Sequence, residues 1–372
     1  MTGGGDFVEF ELRRVRLPLL RRHVTWLVEL HHREVILVRA ALGDGTTGWG
    51  ECPTFPSPSY TSEYTDGAWA VLRDILLPAL LEQWAQTPVV GHAMARGALL
   101  DAIADARHRA AGLAAGDWSK PWTGGGDLAA SVPTTTVVSG WADLDDLMAR
   151  AEAGVRAGAS LIKLKLGRDT DPLWAVRSTF PAVLLAADLN GGYDHRYVAD
   201  RDRLAEIDRL GLAYVEQPYA AGGGWADLID LRGHFETPIA LDESIVDLPS
   251  AQAALMLGAA SILNIKPARV GGTAAAAGLI SECEKTGAGA FVGGMLETGV
   301  GRAHALTVAA LPGCILPTDL GPSRQYFADD LTDPIERNAD GTLPVPTGPG
   351  IGVVPDLDRL EAATVDRFML RR

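Results

Sequence analysis

From Ser131 to Leu320 the chain alternates strand-like and helix-like segments without interruption, and this constrains the fold more than any other feature. The strand-like segments are SVPTTTVV (131–138), LIKLKLG (161–167), LLAADLN (184–190), AYVEQP (213–218), PIALDES (238–244), SILNIKP (261–267), GAFVGG (289–294) and CILPTDL (314–320). Helical patterns such as 142–157 and 272–286 lie between them. Eight such units predict a parallel β/α barrel. A doubly wound open sheet is the competing architecture, but the first strand lacks a GxGxxG turn and eight regular units favour closure.

Upstream, 7–17 and 34–42 read as strands, 22–30 as a loop between them, and Asp44–Gly48 as a hairpin turn leading to Trp49-Gly50-Glu51. A Pro- and Ser-rich loop follows at 52–61, then helical patterns over about 62–85 and 89–112. A Gly-rich linker at 123–127 closes the region. The expected organisation is an α+β capping domain over 1–128 and a (β/α)7β modified TIM barrel over 129–321. The segment 322–372 is expected to pack back on the cap and complete it.

The strand Leu161-Ile162-Lys163-Leu164-Lys165 puts two lysines on one face, since residues i and i+2 of a strand point the same way. Alone, this pattern also fits a solvated edge strand. In a shared cavity, two like charges would lower the pKa of one and make it a base. Downstream strand ends carry Asp188, Glu216, Asp242 and Lys266, at intervals of 23, 28, 26 and 24 residues counted from Lys165. Each interval is about one βα unit, so all five residues fall near the C-terminal mouth, where barrel enzymes keep their chemistry. One carboxylate there could be a helix N-cap. Three carboxylates and flanking lysines in phase need pairing or a metal, because burying an unpaired ion costs several kcal/mol.

Carboxylates without His or Cys form a hard, all-oxygen site suited to Mg2+, with Mn2+ possible, rather than zinc. Lysines from the second and sixth strands, on opposite sides of the metal strands, imply a small carboxylate substrate. The metal would grip its carboxylate, and a lysine would take its α-proton.

Composition narrows the partners. Hydrophobic residues make up 47% and charged residues 22% of the 372, as in a globular protein. The net charge of −14 argues against nucleic acid and anionic membrane surfaces. Three scattered cysteines give no disulfide framework or zinc site. The N-terminus lacks the pattern of a signal peptide and no apolar run is long enough to span a bilayer, so a cytoplasmic protein is expected. Capped barrels often associate, which leaves a homo-oligomer open.

The motifs Lys163-Leu164-Lys165, Ala187-Asp188-Leu189-Asn190, Val215-Glu216-Gln217-Pro218, Leu241-Asp242-Glu243-Ser244 and Asn264-Ile265-Lys266-Pro267 together resemble the muconate-lactonizing-enzyme subgroup of the enolase superfamily. The stretches 266–272 (KPARVGG) and 293–302 (GGMLETGVGR) resemble o-succinylbenzoate synthases and N-succinylamino acid racemases. The resemblance implies Lys165 as general base or acid, Lys266 as its partner on the opposite face, and Asp188, Glu216 and Asp242 as Mg2+ ligands. Lys163 and Asn190 would support them. Gly293 and Gly294 end the seventh strand and read either as a tight turn or as a close backbone approach to the substrate, with their amides receiving a distal succinyl carboxylate and Met295 beside them.

The implied function is an Mg2+-dependent o-succinylbenzoate synthase of menaquinone biosynthesis, with N-acylamino acid racemization as an alternative or second activity. Dipeptide epimerase and cycloisomerase explain the Gly-Gly-Met-Leu-Glu stretch less well. A metal-free Schiff-base lyase or a non-catalytic binding barrel are the readings from other classes. One departure stands out: 19–26 (LLRRHVTW) is bulkier and more charged than the small apolar capping loop expected. It reads either as a surface loop or as a lid bringing Arg21, Arg22 or His23 to an anionic tail. Arg269 is expected either to tune Lys266 or to pair with a helix carboxylate. Trp49, Trp26 and Tyr60 read as packing residues, and His195 and His304 as structural.

Overall fold

The computed structural model describes residues 7–24, 29–81, 89–122 and 126–372. A four-stranded antiparallel sheet is ordered β13-β1-β2-β3. It contains β1 (Phe7–Val24), β2 (Glu29–Leu42), β3 (Thr47–Cys52) and the C-terminal β13 (Thr364–Arg371). The two ends of the chain therefore meet in one sheet. Phe10, Leu12, Ile36 and Val38 are fully buried on one face, and Val15, Leu17, Val35 and Leu37 on the other join the core of the barrel, so both faces of this sheet carry apolar residues.

Helix α1 (Thr65–Val71) continues through a π turn (Leu72–Leu76) into α2 (Leu77–Leu81). Helix α3 (Ala93–Ala110) lies directly on β3, because Gly48 and Gly50 offer it no side chains. A Cβ at either glycine would stand 2.0 Å from α3 backbone atoms. The Gly-Trp-Gly motif is thus a packing signal. A short α4 (Ala115–Trp118) precedes the barrel.

The strand predicted over 131–138 divides in two. β4 (Ser131–Val132) pairs with β12 (Leu343–Pro344), and β5 (Thr135–Val138) opens the parallel sheet. The sheet then follows chain order through β6 (Leu161–Lys165), β7 (Leu184–Asp188), β8 (Tyr214–Glu216), β9 (Ile239–Leu241), β10 (Ile262–Ile265) and β11 (Gly289–Val292). The connecting helices begin with α5 (Leu144–Arg156), α6 (Asp171–Thr179), α7 (Val198–Asp208) and α8 (Ala226–Arg232). They continue with α9 (Leu248–Met256), α10 (Thr273–Thr286) and α11 (Gly299–Ala309).

The eighth segment forms no regular ladder, yet it bridges both edges of the sheet. The Asp319 amide donates to Val292 O at 3.0 Å, and Thr135 N to Thr318 O at 2.8 Å. Seven strands and this bridging segment make the predicted (β/α)7β barrel. Short helices α12 (Ser323–Tyr326) and α13 (Leu357–Ala363) lead back to the cap.

Two expectations change. The predicted 22–30 loop is partly strand: β1 runs to Val24 and β2 starts at Glu29, with Val24 opposite Glu29. Pro18, Leu20, Arg21 and Arg22 are exposed and the register is interrupted between Pro18 and His23, so hydrophobic alternation does not reveal this extension. Within the predicted helices, the first begins at Thr65 and is described to Leu81, and the second starts at Ala93. Trp26, part of the predicted linker and the end of the first predicted helix lie outside the described residues. Among the described residues, no helix is long and apolar enough to cross a membrane.

Candidate active site

Strand register sets the level of each side chain. Lys165 stands opposite Asp188, and Asp188 opposite Glu216, so three neighbouring strands present them in one row. Glu216 pairs with Ala240, which places Asp242 two residues higher, facing the same way. Leu263 pairs with Leu241, so Asn264 follows at the level of Asp242 and Lys266 rises one further step. The row climbs as it crosses the sheet, as the stagger of a closed barrel demands. Beneath it, Leu161, Ala186, Tyr214, Ala240, Ile262 and Phe291 form an apolar floor.

Lys163, Lys165, Asp188, Glu216, Asp242 and Lys266 all line one cavity of about 160 Å3. Asn190, Gly294 and Met295 line it too, whereas Gly293 does not. Gly293 instead packs against the Asn264 amide, whose Nδ2 donates to Glu216 Oε1 at 2.8 Å. The Met295 amide donates to Glu297 Oε1 at 2.8 Å, so that N–H is not free for a ligand.

Each carboxylate of the row is held by a lysine. Lys165 Nζ donates to Asp188 Oδ2 at 2.8 Å and to Asn190 Oδ1 at 3.3 Å. Lys266 Nζ donates to Asp242 Oδ2 at 2.8 Å. Lys163 Nζ donates to Glu216 Oε2 at 2.7 Å and also to Asp319 Oδ2. What changes is the expected lowering of a lysine pKa by like charge; Lys163 supports Glu216 and is itself pinned by two carboxylates. Burial opposes its charge, but Asp319 and Glu216 outweigh burial and raise its pKa well above the ordinary value. The pKa of Lys165 is also raised, Asp188 overcoming burial and the two neighbouring lysines.

Asp242 is held well below the carboxylate range: burial pushes up, but Arg269 and Lys266 outweigh it. Glu216 moves the other way, pushed up by burial and then by Asp188, Asp242 and Asp319 against the pull of Lys163. Gln217 staples the β8 and β9 ends together. Its Oε1 accepts from the amides of Asp242 and Ser244, and its Nε2 donates to Tyr219 O and Ser244 Oγ. Gln217 and Asn190 have φ of 42° and 43°, left-handed values that cluster at functional sites.

Four residues beyond the predicted set belong here. Asp319 lines the cavity. It ends the eighth strand-like segment, so the strand-end position that selected the other acids could have found it. Tyr60, expected to be packing, donates or accepts at its hydroxyl with Lys266 Nζ (2.7 Å), Arg269 Nη1 (2.7 Å) and Asp242 Oδ2 (3.3 Å). Its ring also lies under Lys266 Nζ, 4.9 Å from the centroid. Burial pushes its pKa up to about 12. Glu243 and Asn264 line the same cavity.

Of the Arg269 alternatives, the geometry shows the one that reaches the site: Nη1 donates to Asp242 Oδ1 at 2.6 Å. In the 19–26 stretch, His23 lines the cavity while Arg21 and Arg22 are exposed. Trp49 and His304 are structural: Trp49 is buried and its carbonyl meets His304 Nε2 at 2.9 Å. His195 lies away from this cavity, 3.4 Å from Asp227.

The donors suit a divalent cation. Among the described residues no three acidic, His or Cys side chains already converge as a ready coordination set, because the lysines hold the carboxylates apart. Yet the cavity carries five carboxylates (Asp188, Glu216, Asp242, Glu243 and Asp319) against three lysines, and Arg269 is a fourth cation. By count, acids exceed cations by one in a buried, all-oxygen site. Glu243 Oε2 and Asp319 Oδ1 are buried without a hydrogen-bond partner. Excess acid, oxygen donors and orphaned carboxylate atoms fit Mg2+.

Residues 146–359 match the family model described as enolase C-terminal domain-like. This chain belongs to the enolase superfamily. An N-succinylamino acid racemase of an Amycolatopsis species is 39% identical, the match covering 97% of this chain and 98% of the relative. An o-succinylbenzoate synthase of Bacillus subtilis (strain 168) is 34% identical over 88% and 89%. Among solved structures, a probable mandelate racemase from Alicyclobacillus acidocaldarius superposes with a TM-score of 0.88, at 32% identity over 98% of both chains. The chain is therefore an enzyme of this superfamily, with relatives named for both a lyase and a racemase activity.

Proposed function

We propose that this enzyme is an Mg2+-dependent o-succinylbenzoate synthase, dehydrating 2-succinyl-6-hydroxy-2,4-cyclohexadiene-1-carboxylate in a cytoplasmic step of menaquinone biosynthesis. The observation carrying this reading is the unequal setting of the two lysines. Lys266 Nζ sits over the Tyr60 ring and touches the Tyr60 hydroxyl and Asp242, a cage that keeps it a cation. Among the described residues Lys165 has only Asp188 and Asn190 as hydrogen-bond partners, and its side chain is 23% exposed against 11% for Lys266. Syn-dehydration needs that division: one amine that moves a proton and one fixed positive charge.

Bound at Asp188, Glu216 and Asp242, Mg2+ would supply Lewis-acid charge to the substrate carboxylate. In its unprotonated form Lys165 takes the α-proton, and the C–H electron pair passes into the enediolate. Lys266 holds its ammonium against that negative charge. Lys165 then returns the proton to the departing hydroxyl on the same face, and water leaves. Phe55, Tyr60, Met295 and Leu296 also line the cavity and exclude bulk water from the exchange.

Racemization of N-succinylamino acids is the second reading, supported by the 39% identity to the Amycolatopsis racemase. The lysines come from β6 and from the end of β10, with the acid-bearing strands between them, so each could serve one face of an α-carbon. The test is to assay the purified protein with Mg2+ on the cyclohexadiene precursor and, in D2O, on N-succinylamino acids. Dehydration that EDTA abolishes and Mg2+ restores supports the synthase. Deuterium exchange into both enantiomers without dehydration overturns it in favour of the racemase. Turnover that survives EDTA, with borohydride trapping of a carbonyl adduct, would sink both in favour of a Schiff-base lyase.

A further inference from the structure

Arg33 lies in β2 of the cap and is 1% exposed, and among the described residues it is hydrogen-bonded to no carboxylate. Its guanidinium instead spends all five N–H donors on five backbone carbonyls. Nε reaches Leu296 O at 3.2 Å, and Nη1 reaches Glu34 O at 2.8 Å and Thr54 O at 2.6 Å. Nη2 reaches Met295 O at 3.1 Å and also Pro53 O. The guanidinium carbon stands 4.9 Å from the centroid of Phe55. Burial pulls its pKa down to about 10, leaving it charged at neutral pH.

Four of these carbonyls, Pro53 O, Thr54 O, Met295 O and Leu296 O, belong to two segments that wall the candidate active site; Glu34 O is in β2 beside Arg33 itself. Phe55 adjoins Pro53-Thr54 and lines the cavity, as do Met295 and Leu296. Leu296 has a φ of 59°, a conformation an apolar side chain adopts only when its surroundings impose it. A second cap residue holds the far end of the same segment. Glu51 accepts from Thr298 N at 3.0 Å, Thr298 Oγ1 at 2.5 Å and Gly301 N at 2.9 Å, capping the start of α11 from outside the barrel.

We propose that Arg33 is a positioning residue for substrate binding: with Glu51, it fixes the 295–301 wall of the pocket from the cap. The inference rests on this cavity being the substrate site. Its loss is felt in how well substrate is seated and not in the proton transfer itself, since Arg33 has no hydrogen bond to Lys165, Lys266 or the acids between them. Lysine cannot replace it, because one ammonium has three donors and no planar fork to reach five carbonyls.

The test uses the full-length protein and Arg33→Lys, read in two ways. With the substrate that the wild type turns over, KM is expected to rise roughly tenfold or more while kcat changes by less than about threefold. Without substrate, amide hydrogen exchange over 295–301 is expected to accelerate roughly tenfold. Wild-type KM, or a loss confined to kcat, overturns the proposal, as does unchanged protection of 295–301. If Arg33→Lys does not fold, Glu51→Gln is read in the same two ways, since it turns an amide donor toward Thr298 or Gly301 and leaves the 53–55 segment untouched. If the wild type turns over neither substrate, the functional reading has failed and the exchange measurement alone decides the clamp.

Discussion

Adding one methyl group at Gly293 should unseat a candidate metal ligand three strands away. Gly293 follows β11 and does not have a left-handed φ, so its backbone does not require glycine. Space does. A Cβ at this position would stand 2.3 Å from Asn264 Oδ1 and 2.9 Å from Nδ2. Asn264 is 1% exposed and cannot retreat without giving up its 2.8 Å bond to Glu216 Oε1. Overpacking a filled core costs about 1–3 kcal/mol, and a buried acceptor left unpaired costs about 1–3 kcal/mol. The two effects share atoms and do not add fully, so Gly293→Ala should destabilise the fold by about 3 kcal/mol. Urea denaturation of the metal-free protein measures this, and calorimetric titration should show weaker Mg2+ binding through the displaced Glu216. A change within about 0.5 kcal/mol together with unaltered Mg2+ affinity would refute the packing argument and return Gly293 to direct contact with substrate.

Other perturbations report on separate parts of the site. Asp319→Ala leaves the buried Lys163 ammonium with Glu216 alone and should cost about 3–5 kcal/mol of stability, measured by the same denaturation; an effect under about 1 kcal/mol would show that Glu216 suffices. Tyr60→Phe strips Lys266 and Arg269 of a shared partner and should lower kcat/KM by roughly 10- to 100-fold with the fold retained, whereas full activity would return Tyr60 to packing. His23 gives a pH signature. Burial, then Lys165, Arg33 and Lys266, pull its pKa from 6.5 down to about 4. Between those values the unfolded chain binds the proton and the folded chain does not. Its contribution is thus fully present above pH 6.5 and lost as pH falls toward 4, by about 2 kcal/mol after allowing for partial exposure. His23→Gln should flatten the stability profile in that window, and an unchanged slope would remove His23 from the account.

The barrel was legible because a parallel strand must be followed by a crossover, which prints a regular interval on the chain. Lys165, Asp188, Glu216, Asp242 and Lys266 could be gathered into one site on that interval alone. Asp319 occupies the same kind of position but closes the barrel in a segment without a regular ladder, and its neighbour Lys163 is separated from it by most of the barrel. Tyr60 was misread for a different reason. It lies in a Pro- and Ser-rich loop, where no period says which way a side chain points, and only the packing of cap on barrel brings its hydroxyl to Lys266. The direction of the lysine pKa shifts was equally hidden. The pattern Lys163-x-Lys165 gives like charges on one strand, but the carboxylates opposing them come from other strands and outweigh that repulsion. The extension of β1 to Val24 was invisible because Pro18, Leu20, Arg21 and Arg22 are exposed and show no apolar alternation.

The central claim is that Lys165 moves the α-proton while the acid cluster holds Mg2+ independently of it. Calorimetric Mg2+ binding and turnover of Lys165→Ala, measured on one preparation against wild type, test it most directly. The account predicts Mg2+ affinity within a few-fold of wild type and a loss of turnover of roughly four orders of magnitude or more. Near-normal rates on the cyclohexadiene precursor or on N-succinylamino acids would contradict it.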